Sequence, residues 1–316
     1  MNQLELALLT KIRSTSRYLI AFGILVSIPL STFFENAIEL QVLLALVALT
    51  VGIPHGAVDH IVTVPKFQPF RMALFLAGYL AVVGLVIAAI LWQNLIGFQL
   101  IVLLSAIHFG IGDASFIAEA DARASRGKFP KLSYAIAAGF MPVVLPLTSP
   151  LTSQALNEVN PALIGWAGQI TNAVFWFFVG FGLLAMVLQL IARRFDNVID
   201  LGLLLGISLI APPLVAFAFY FGFWHAFRHT GRLTLELERS QQKFSEGKQL
   251  QAFWRAVTAG VPALGLVLGF TVWLGLTQGF DLSQQLLWLL LVVIWALTVP
   301  HMALTARLDY RALVRT

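Results

Sequence analysis

The chain has 316 residues, of which 59% are hydrophobic and only 11% are charged, and it contains no cysteine. Soluble globular domains carry about 25% charged residues, so this composition excludes an ordinary soluble protein. The lack of cysteine excludes disulfides, thiolate metal sites and a cysteine nucleophile. In a membrane protein, the net charge of +5 reflects orientation in the bilayer rather than nucleic-acid binding.

Apolar runs of about 20 residues recur along the chain and predict transmembrane helices, since a segment in lipid must satisfy its own backbone hydrogen bonds. No stretch alternates in polarity with a period of two, as barrel strands would. The predicted segments are about 17–34, 38–55, 71–93, 97–118, 132–147, 163–191, 255–276 and 284–304. We therefore expect an all-α, polytopic membrane protein with about eight transmembrane helices. They would form a single domain, 1–316, with its bundle over about 17–304.

A longer apolar block, about 198–230, is interrupted by Ala211-Pro212-Pro213. Basic residues at both ends predict that the block enters and leaves the membrane on the same side. As one helix it would be about 48 Å long, too short for two upright spans. Because the proline pair ends or kinks a helix, we expect a broken or re-entrant helical hairpin here.

The distribution of positive charge predicts the orientation. All 20 Lys and Arg residues lie in the two terminal segments or in one set of connecting segments. None lies in the other set, which comprises about 35–39, 93–98, 148–162 and 277–283. The positive-inside rule then places both termini in the cytoplasm, and we expect the bundle to lie in the inner (plasma) membrane of the cell. The polar N-terminal segment, followed by a long apolar run, predicts an uncleaved anchor rather than a signal peptide.

The six histidines are the most informative polar residues. In this topology all of them fall in the cytoplasmic half of the membrane, where ionisable groups are costly and are functional candidates by default. They are His55, His60, His108, His225, His229 and His301. His225 and His229 share a helix face at a spacing that chelates metal, but Ala226 stands where a zinc protease requires glutamate. A lone buried histidine more often makes a helix–helix hydrogen bond, whereas the convergence of six favours a metal or haem site.

Asp59 and Asp113 are identified as the only acidic residues well inside the predicted segments. Asp59 follows His55 by one helical turn and Asp113 follows His108, so each carboxylate is a candidate to orient an imidazole through its second nitrogen. Their alternative role is capping a helix or pairing with an arginine at a helix end. A site of nitrogen donors without thiolates suits iron, copper, zinc or nickel.

Four motifs occur in order: GIPHGAVDH (52–60), HFGIGD (108–113), FWHAFRH (223–229) and PHM (300–302). Together they resemble the bacteriorhodopsin-related-protein (Brp/Blh-type) family of membrane β-carotene 15,15′-dioxygenases, over about residues 45–305. The resemblance implies an Fe(2+)-dependent enzyme that uses O2 to cleave β-carotene, or a related carotenoid, into two retinal molecules. It implies iron ligation by His55, His108, His225 and His229. His60 and His301 also match family positions and are expected to support the ligands or to face the substrate.

The aromatic run from Phe217 to Phe227, beside the histidine pair, offers candidates for a substrate slot. A carotenoid dissolves in the lipid bilayer, so we expect its enzyme to take it up laterally between helices into an apolar pocket. Phe219, Phe223 and Trp224 are the candidates for lining that pocket, with helix packing or lipid contact as the alternative. Retinal would leave into the membrane, where a retinal-binding opsin is the candidate partner.

Other functions are compatible with buried histidines. A bis-histidine haem protein in electron transfer would use two of them as axial ligands and leave the others idle. Another non-haem iron membrane oxygenase acting on a lipid is a second alternative, although di-iron desaturase-type sites need more than six histidines. A metal transporter would require carboxylates along a path through the membrane, and only Asp59 and Asp113 are available. An opsin is excluded because no lysine lies within a predicted helix to form a Schiff base, and no nucleic-acid-binding module is evident.

Overall fold

All the regular structure of the chain is helical in the computed structural model, which describes residues 2–33, 37–58, 61 and 68–314. The α-helices are, in chain order, α1 Asn2–Phe33, α2 Ile38–Gly56, α3 Pro69–Trp92, α4 Asn94–Arg123, α5 Lys131–Val144, α6 Thr152–Val159, α7 Thr171–Ile191, α8 Phe195–Ile210, α9 Pro213–Ala218, α10 Phe227–Glu236, α11 Glu238–Ser245, α12 Gln249–Gln278 and α13 Leu282–Val314. Between α9 and α10, the segment Phe219–Ala226 is a π-helix. The all-α prediction is confirmed.

Six of the described helices are long and apolar enough to cross a membrane, which confirms a polytopic membrane protein. They are α2, α3, α4, α7 with the turn before it, α12 and α13. The predicted segment 132–147 forms the shorter helix α5, whose 14 residues span about 21 Å against a hydrocarbon core of about 30 Å. Pro142 inside α5 and Pro146 just beyond it account for this early end, since proline interrupts the helical hydrogen bonds. The predicted segment 17–34 belongs to α1, which starts at Asn2.

The predicted break in the block 198–230 lies at the proline pair. Helix α8 ends at Ile210, and Ala211 is extended, with φ −82° and ψ 143°, because a residue before proline avoids the α-helical region. Helix α9 then begins at Pro213 and passes into the π-helix. A π-helix is wider than an α-helix and occurs frequently at functional sites. Here it carries Phe221 and His225, whose rings both contact Phe109 of α4.

Helix α4 is in the middle of the bundle and crosses α5 at very short range. A Cβ atom at Gly139 would overlap the carbonyl oxygen of Ala106, and one at Gly110 would overlap that of Ala135. Small residues allow such close crossings in membrane proteins. The crossing fixes α4 on both sides of His108.

Candidate metal centre

Five histidines from five helical segments meet in the interior of the protein. His55 is in the last turn of α2, His108 is in α4, His225 is in the π-helix, His229 is in α10 and His301 is in α13. Each side chain is buried, with at most 8% of its residue surface exposed. Because burying ionisable groups inside a membrane protein is costly, five of them together indicate a functional site.

The five imidazole rings form one contiguous group, hereafter the histidine cluster. The ring centroid of His55 lies 5.3 Å from that of His229 and 5.6 Å from those of His225 and His301. The centroid of His108 lies 5.3 Å from those of His225 and His301. His229 and His301 are 5.7 Å apart, and His225 and His229 are 6.3 Å apart. Every ring therefore contacts at least two others.

The spacing of the rings suits imidazoles that share one metal ion. With ligand nitrogens about 2.1 Å from the ion, centroids of neighbouring ligands lie about 4.7–5.5 Å apart in octahedral to tetrahedral geometry. The centroids of His55 and His108 lie 5.3–5.6 Å from their neighbours, at or just above the upper end of that range. Nε2 of His225 is buried without a hydrogen-bond partner, a costly arrangement that a metal ion would relieve. Nδ1–H of His55 donates to the carbonyl oxygen of Gly52, which leaves Nε2 of His55 for coordination.

The nitrogen atoms of the cluster are not yet directed at one point. Across residues 2–33, 37–58, 61 and 68–314, no three His, Asp or Glu side chains form a ready coordination shell. Since the ring centroids are already close to the spacing of ligands that share one ion, we expect coordination to require rotation of side chains rather than movement of helices. The donor set therefore fits a metal ion, while the shell itself would form on binding.

The structure brings together all four histidines that the sequence predicts as ligands, namely His55, His108, His225 and His229. His301, expected to support the ligands or to face the substrate, lies among them at similar distances. The ring positions do not set His301 apart from the other four. The predicted supporting residues Asp59 and His60 lie outside the described residues.

Asp113, predicted to orient a ligand, is buried but hydrogen-bonds to no histidine. Its Oδ2 accepts from Nε1–H of Trp224 at 2.9 Å and from the hydroxyl of Tyr220 at 3.3 Å. Both donors belong to the π-helix that carries His225. Asp113 thus connects α4 to the π-helix next to the cluster and stabilises the backbone that presents His225.

A buried ionic network, which the sequence analysis missed, continues from this point. The guanidinium carbon of Arg228 lies 3.4 Å from the ring centroid of Trp224, and its Nη2 lies 3.5 Å from Oδ2 of Asp200. Asp200 also pairs with Arg13 and Arg17, at 2.8 and 2.6 Å. The sequence prediction treats every Lys and Arg as part of a terminal or connecting segment and names Asp59 and Asp113 as the only acids well inside the apolar segments, so it includes neither Arg228 nor Asp200 in the site. The available signal was the occurrence of both residues within the apolar block 198–230.

A second buried arginine connects three of the helices that carry the cluster. Arg232 of α10 donates to Oε1 of Glu119 in α4, at 2.8 and 3.0 Å, and to Oδ1 of Asp309 in α13, at 2.6 Å. Helices α10, α4 and α13 carry His229, His108 and His301, respectively. The paired charges therefore fix the relative positions of these helices at points that lie about one, three and two helical turns beyond His229, His108 and His301, respectively.

Two apolar cavities adjoin the cluster. The larger, of about 660 Å³, lies between α2, α3, α4, α12 and α13, and His55, His108 and His301 form part of its wall. The smaller, of about 120 Å³, is lined by residues of α2, α4, α5, α6, α9, the π-helix and α13. From the aromatic run, Phe217, Tyr220 and Phe221 line one or both cavities.

The predicted lining residues Phe219, Phe223 and Trp224 line neither of these two cavities. Phe219 packs instead on Phe22 of α1 and on Phe223, and Trp224 lies between Asp113 and the guanidinium of Arg228. Phe221 lies four residues before His225 and therefore shares its face of the segment, whereas Phe219 and Phe223, two positions to either side of Phe221, point away from that face. The spacing to His225 is the signal that could have selected Phe221.

A family model and a curated protein that match this chain carry the same description. A family model described as beta-carotene 15,15′-dioxygenase matches residues 45–309. A curated protein named beta-carotene 15,15′-dioxygenase, from uncultured marine bacterium 66A03, is 29% identical over 273 residues, which cover 83% of this chain and 90% of that protein. No solved structure matches the chain significantly.

Proposed function

Since the match over residues 45–309 shows that the chain belongs to the beta-carotene 15,15′-dioxygenase family, we propose that the histidine cluster holds the iron ion at which this protein cleaves carotene to retinal. The membership confirms the resemblance carried by the four sequence motifs. The observation that supports the iron site is the convergence of five buried imidazoles, three of which (His55, His108 and His301) form part of the wall of a large apolar cavity. That arrangement combines a metal-binding donor set with room for an apolar substrate.

In this proposal His55, His108, His225 and His229 bind Fe(2+), and His301 supports them from the cavity side. Because imidazoles are neutral ligands, they do not compensate the positive charge of the ion. The histidine cluster contains no carboxylate among the described residues that could do so. Asp113, together with the buried arginine network, keeps the π-helix and α10 in place so that His225 and His229 stay paired. These residues position the ligands and take no part in the bond changes.

The reaction breaks the central C=C bond of β-carotene, and each of its two carbon atoms takes one oxygen atom of O2. Two aldehydes form, so the reaction balances without an external reductant. The bound iron supplies the activation of O2. The protein holds the polyene with its central bond beside the histidines and excludes water with the apolar wall that includes Phe109, Phe221 and Leu297.

The large cavity gives the substrate a lateral route from the lipid. Helices α3 and α12 both pack against α13 but hardly against each other. Leu80 of α3 and Leu266 of α12 line the cavity and are also 62% and 74% exposed on the outer surface. Because both helices are candidate membrane spans, the cavity opens between them toward the acyl chains of the bilayer.

Blocking this opening is expected to reduce cleavage. Gly84 lines the large cavity, and a Cβ atom there would meet nothing within 4 Å, so Gly84→Phe fills the opening without a backbone clash. We expect carotene cleavage by membranes containing this variant to fall by about tenfold or more. Gly78→Phe is the matched control, because Gly78 is on the same helix, is equally open and does not line the cavity. Equal rates in the two variants would contradict the lateral route.

The positive-inside distribution supports an orientation with both termini in the cytoplasm, and the inner (plasma) membrane is the proposed location. The histidine cluster then lies nearer the cytoplasmic face. Retinal would leave through the same lateral opening into the bilayer, and a retinal-binding opsin is the proposed acceptor.

Removal and replacement of the metal tests the proposal. Protein purified from a carotene-producing bacterial host should contain about one iron per chain and convert added β-carotene to retinal. A chelator should abolish retinal formation. Fe(2+) should restore it, and Zn²⁺ should not, because zinc has no redox chemistry. A protein that carries haem with a strong Soret band and leaves carotene intact would refute the proposal and favour electron transfer.

A further inference from the structure

We infer that the carotene lies across both cavities, one half in each, and that Phe109 and Phe221 mark the position of the bond that is cleaved. This inference rests on the proposed function and adds the residues that set the cleavage position. The two cavities share four lining residues: Phe109, Phe221, Ile294 and Thr298. They are therefore neighbouring compartments separated by a thin wall, and two aromatic rings form much of it.

This wall touches the histidine cluster. The ring centroid of Phe109 lies 4.3 Å from that of His225 and 5.6 Å from that of His108. The ring of Phe221 lies 5.9 Å from that of His55 and 6.0 Å from that of Phe109. A long molecule that passes from one cavity to the other must therefore cross the wall beside the histidines. The bond at the crossing point is the bond next to the proposed iron ion.

The backbone fixes the position of Phe221 closely. A Cβ atom at Gly52 would overlap the ring of Phe221, so the glycine one turn before His55 lets the phenyl ring pack directly on α2. Any larger residue at position 52 would push the ring out of the wall. The same short segment thus positions both the proposed ligand His55 and the ring that separates the cavities.

The smaller cavity has the length required for the second half of a polyene. Its lining follows α4 from Phe109 back to Phe98, a distance of about 16 Å at 1.5 Å per residue, and is almost wholly apolar. It is also much tighter than the larger cavity, at about 120 Å³ against about 660 Å³. The two halves of the symmetric substrate therefore occupy unequal cavities. The half that enters first passes through the large cavity into the small one, where the available volume limits its size.

The test fills the small cavity and compares two substrates. Ala155 of α6 lines it and is 3% exposed, and it belongs to none of the segments that carry the cluster. The substrates are β-carotene and an apocarotenal that keeps one ring but has a shortened second half. Both yield retinal on cleavage at the central bond. The measured quantity is the ratio of retinal formed from the apocarotenal to that formed from β-carotene.

Ala155→Leu is expected to raise this ratio by about tenfold or more relative to the wild type, because overpacking excludes the longer half selectively. Ala162→Leu is the control, since Ala162 is exposed and lines neither cavity, and its ratio should equal that of the wild type. Ser105→Val, which fills the same cavity from α4, repeats the test if Ala155→Leu is poorly folded.

An unchanged ratio in both filling variants would overturn the inference, because the whole carotene would then lie in the large cavity. Wild-type protein that forms retinal from neither substrate would instead refute the proposed function, so the two failures are distinguishable. Phe221→Leu adds an independent readout. It should yield apocarotenals of unequal length beside retinal, since the wall no longer fixes the crossing point.

Discussion

Replacement of His225 by alanine is expected to lower retinal formation by more than about 100-fold and to remove the bound iron. Loss of a group that only supports a metal ligand typically costs 10–100-fold, so loss of a ligand should cost more. His225 is the strongest choice among the five histidines because its Nε2 is buried without a hydrogen-bond partner and its ring contacts His55, His108 and His229. The measurement combines retinal analysis with the iron content of the purified protein.

Phe223→Ala is the matched control for His225→Ala. It shortens a side chain of the same π-helix that is only half-buried, packs on Phe219 and lines neither cavity. We expect it to keep its iron and to change activity by less than about threefold, as for a substitution outside the site. If His225→Ala kept its iron and cleaved carotene at the wild-type rate, the histidine cluster would not be the iron site.

Replacement of Asp200 by alanine is expected to destabilise the protein by about 3–5 kcal/mol, as breaking a buried ion pair typically does. The Asp200 side chain is 0% exposed and faces Arg13, Arg17 and Arg228. Tyr134 also donates its hydroxyl to Oδ2 at 3.3 Å. Without the carboxylate, Arg13 and Arg228 would lose the acid that they share, and Arg17 would keep only its pair with the half-exposed Asp196. The free energy of unfolding in detergent, measured with denaturant, gives the loss of stability.

Asp196, one turn earlier on α8, provides the control for Asp200. Its side chain is 44% exposed and pairs with Arg17 and Arg126 at 3.2 Å. Such exposed pairs contribute about 0–1 kcal/mol, so Asp196→Ala should stay within about 1 kcal/mol of the wild type. Equal effects of the two substitutions would show that burial of Asp200 does not determine its contribution. Retinal formation should fall with Asp200→Ala, because Arg228 contacts Trp224 next to His225.

Local sequence determined the class of the protein and part of its site. Apolar runs predict helices in lipid because the backbone must satisfy its own hydrogen bonds there, whatever the neighbouring segments are. The break at Pro212-Pro213 follows from the covalent structure of proline. The pairing of His225 and His229 follows from their spacing of four residues. These features depend on residues close together in the chain, and the structure contains each of them.

Only the tertiary structure decided which distant residues meet. The rings of His301 and His55 are in contact although 246 positions separate the two residues (301 − 55). No periodicity in the sequence predicts a contact over such a separation. Phe221 lines both cavities, whereas Phe219, Phe223 and Trp224 line neither, because the neighbouring helices determine which face of this segment meets a cavity. Packing also buried Arg228 against Trp224, although the distribution of charge predicts that basic residues lie in terminal or connecting segments. The physical reason is that hydropathy and spacing describe one helix at a time, whereas burial and partner choice depend on how helices pack against one another.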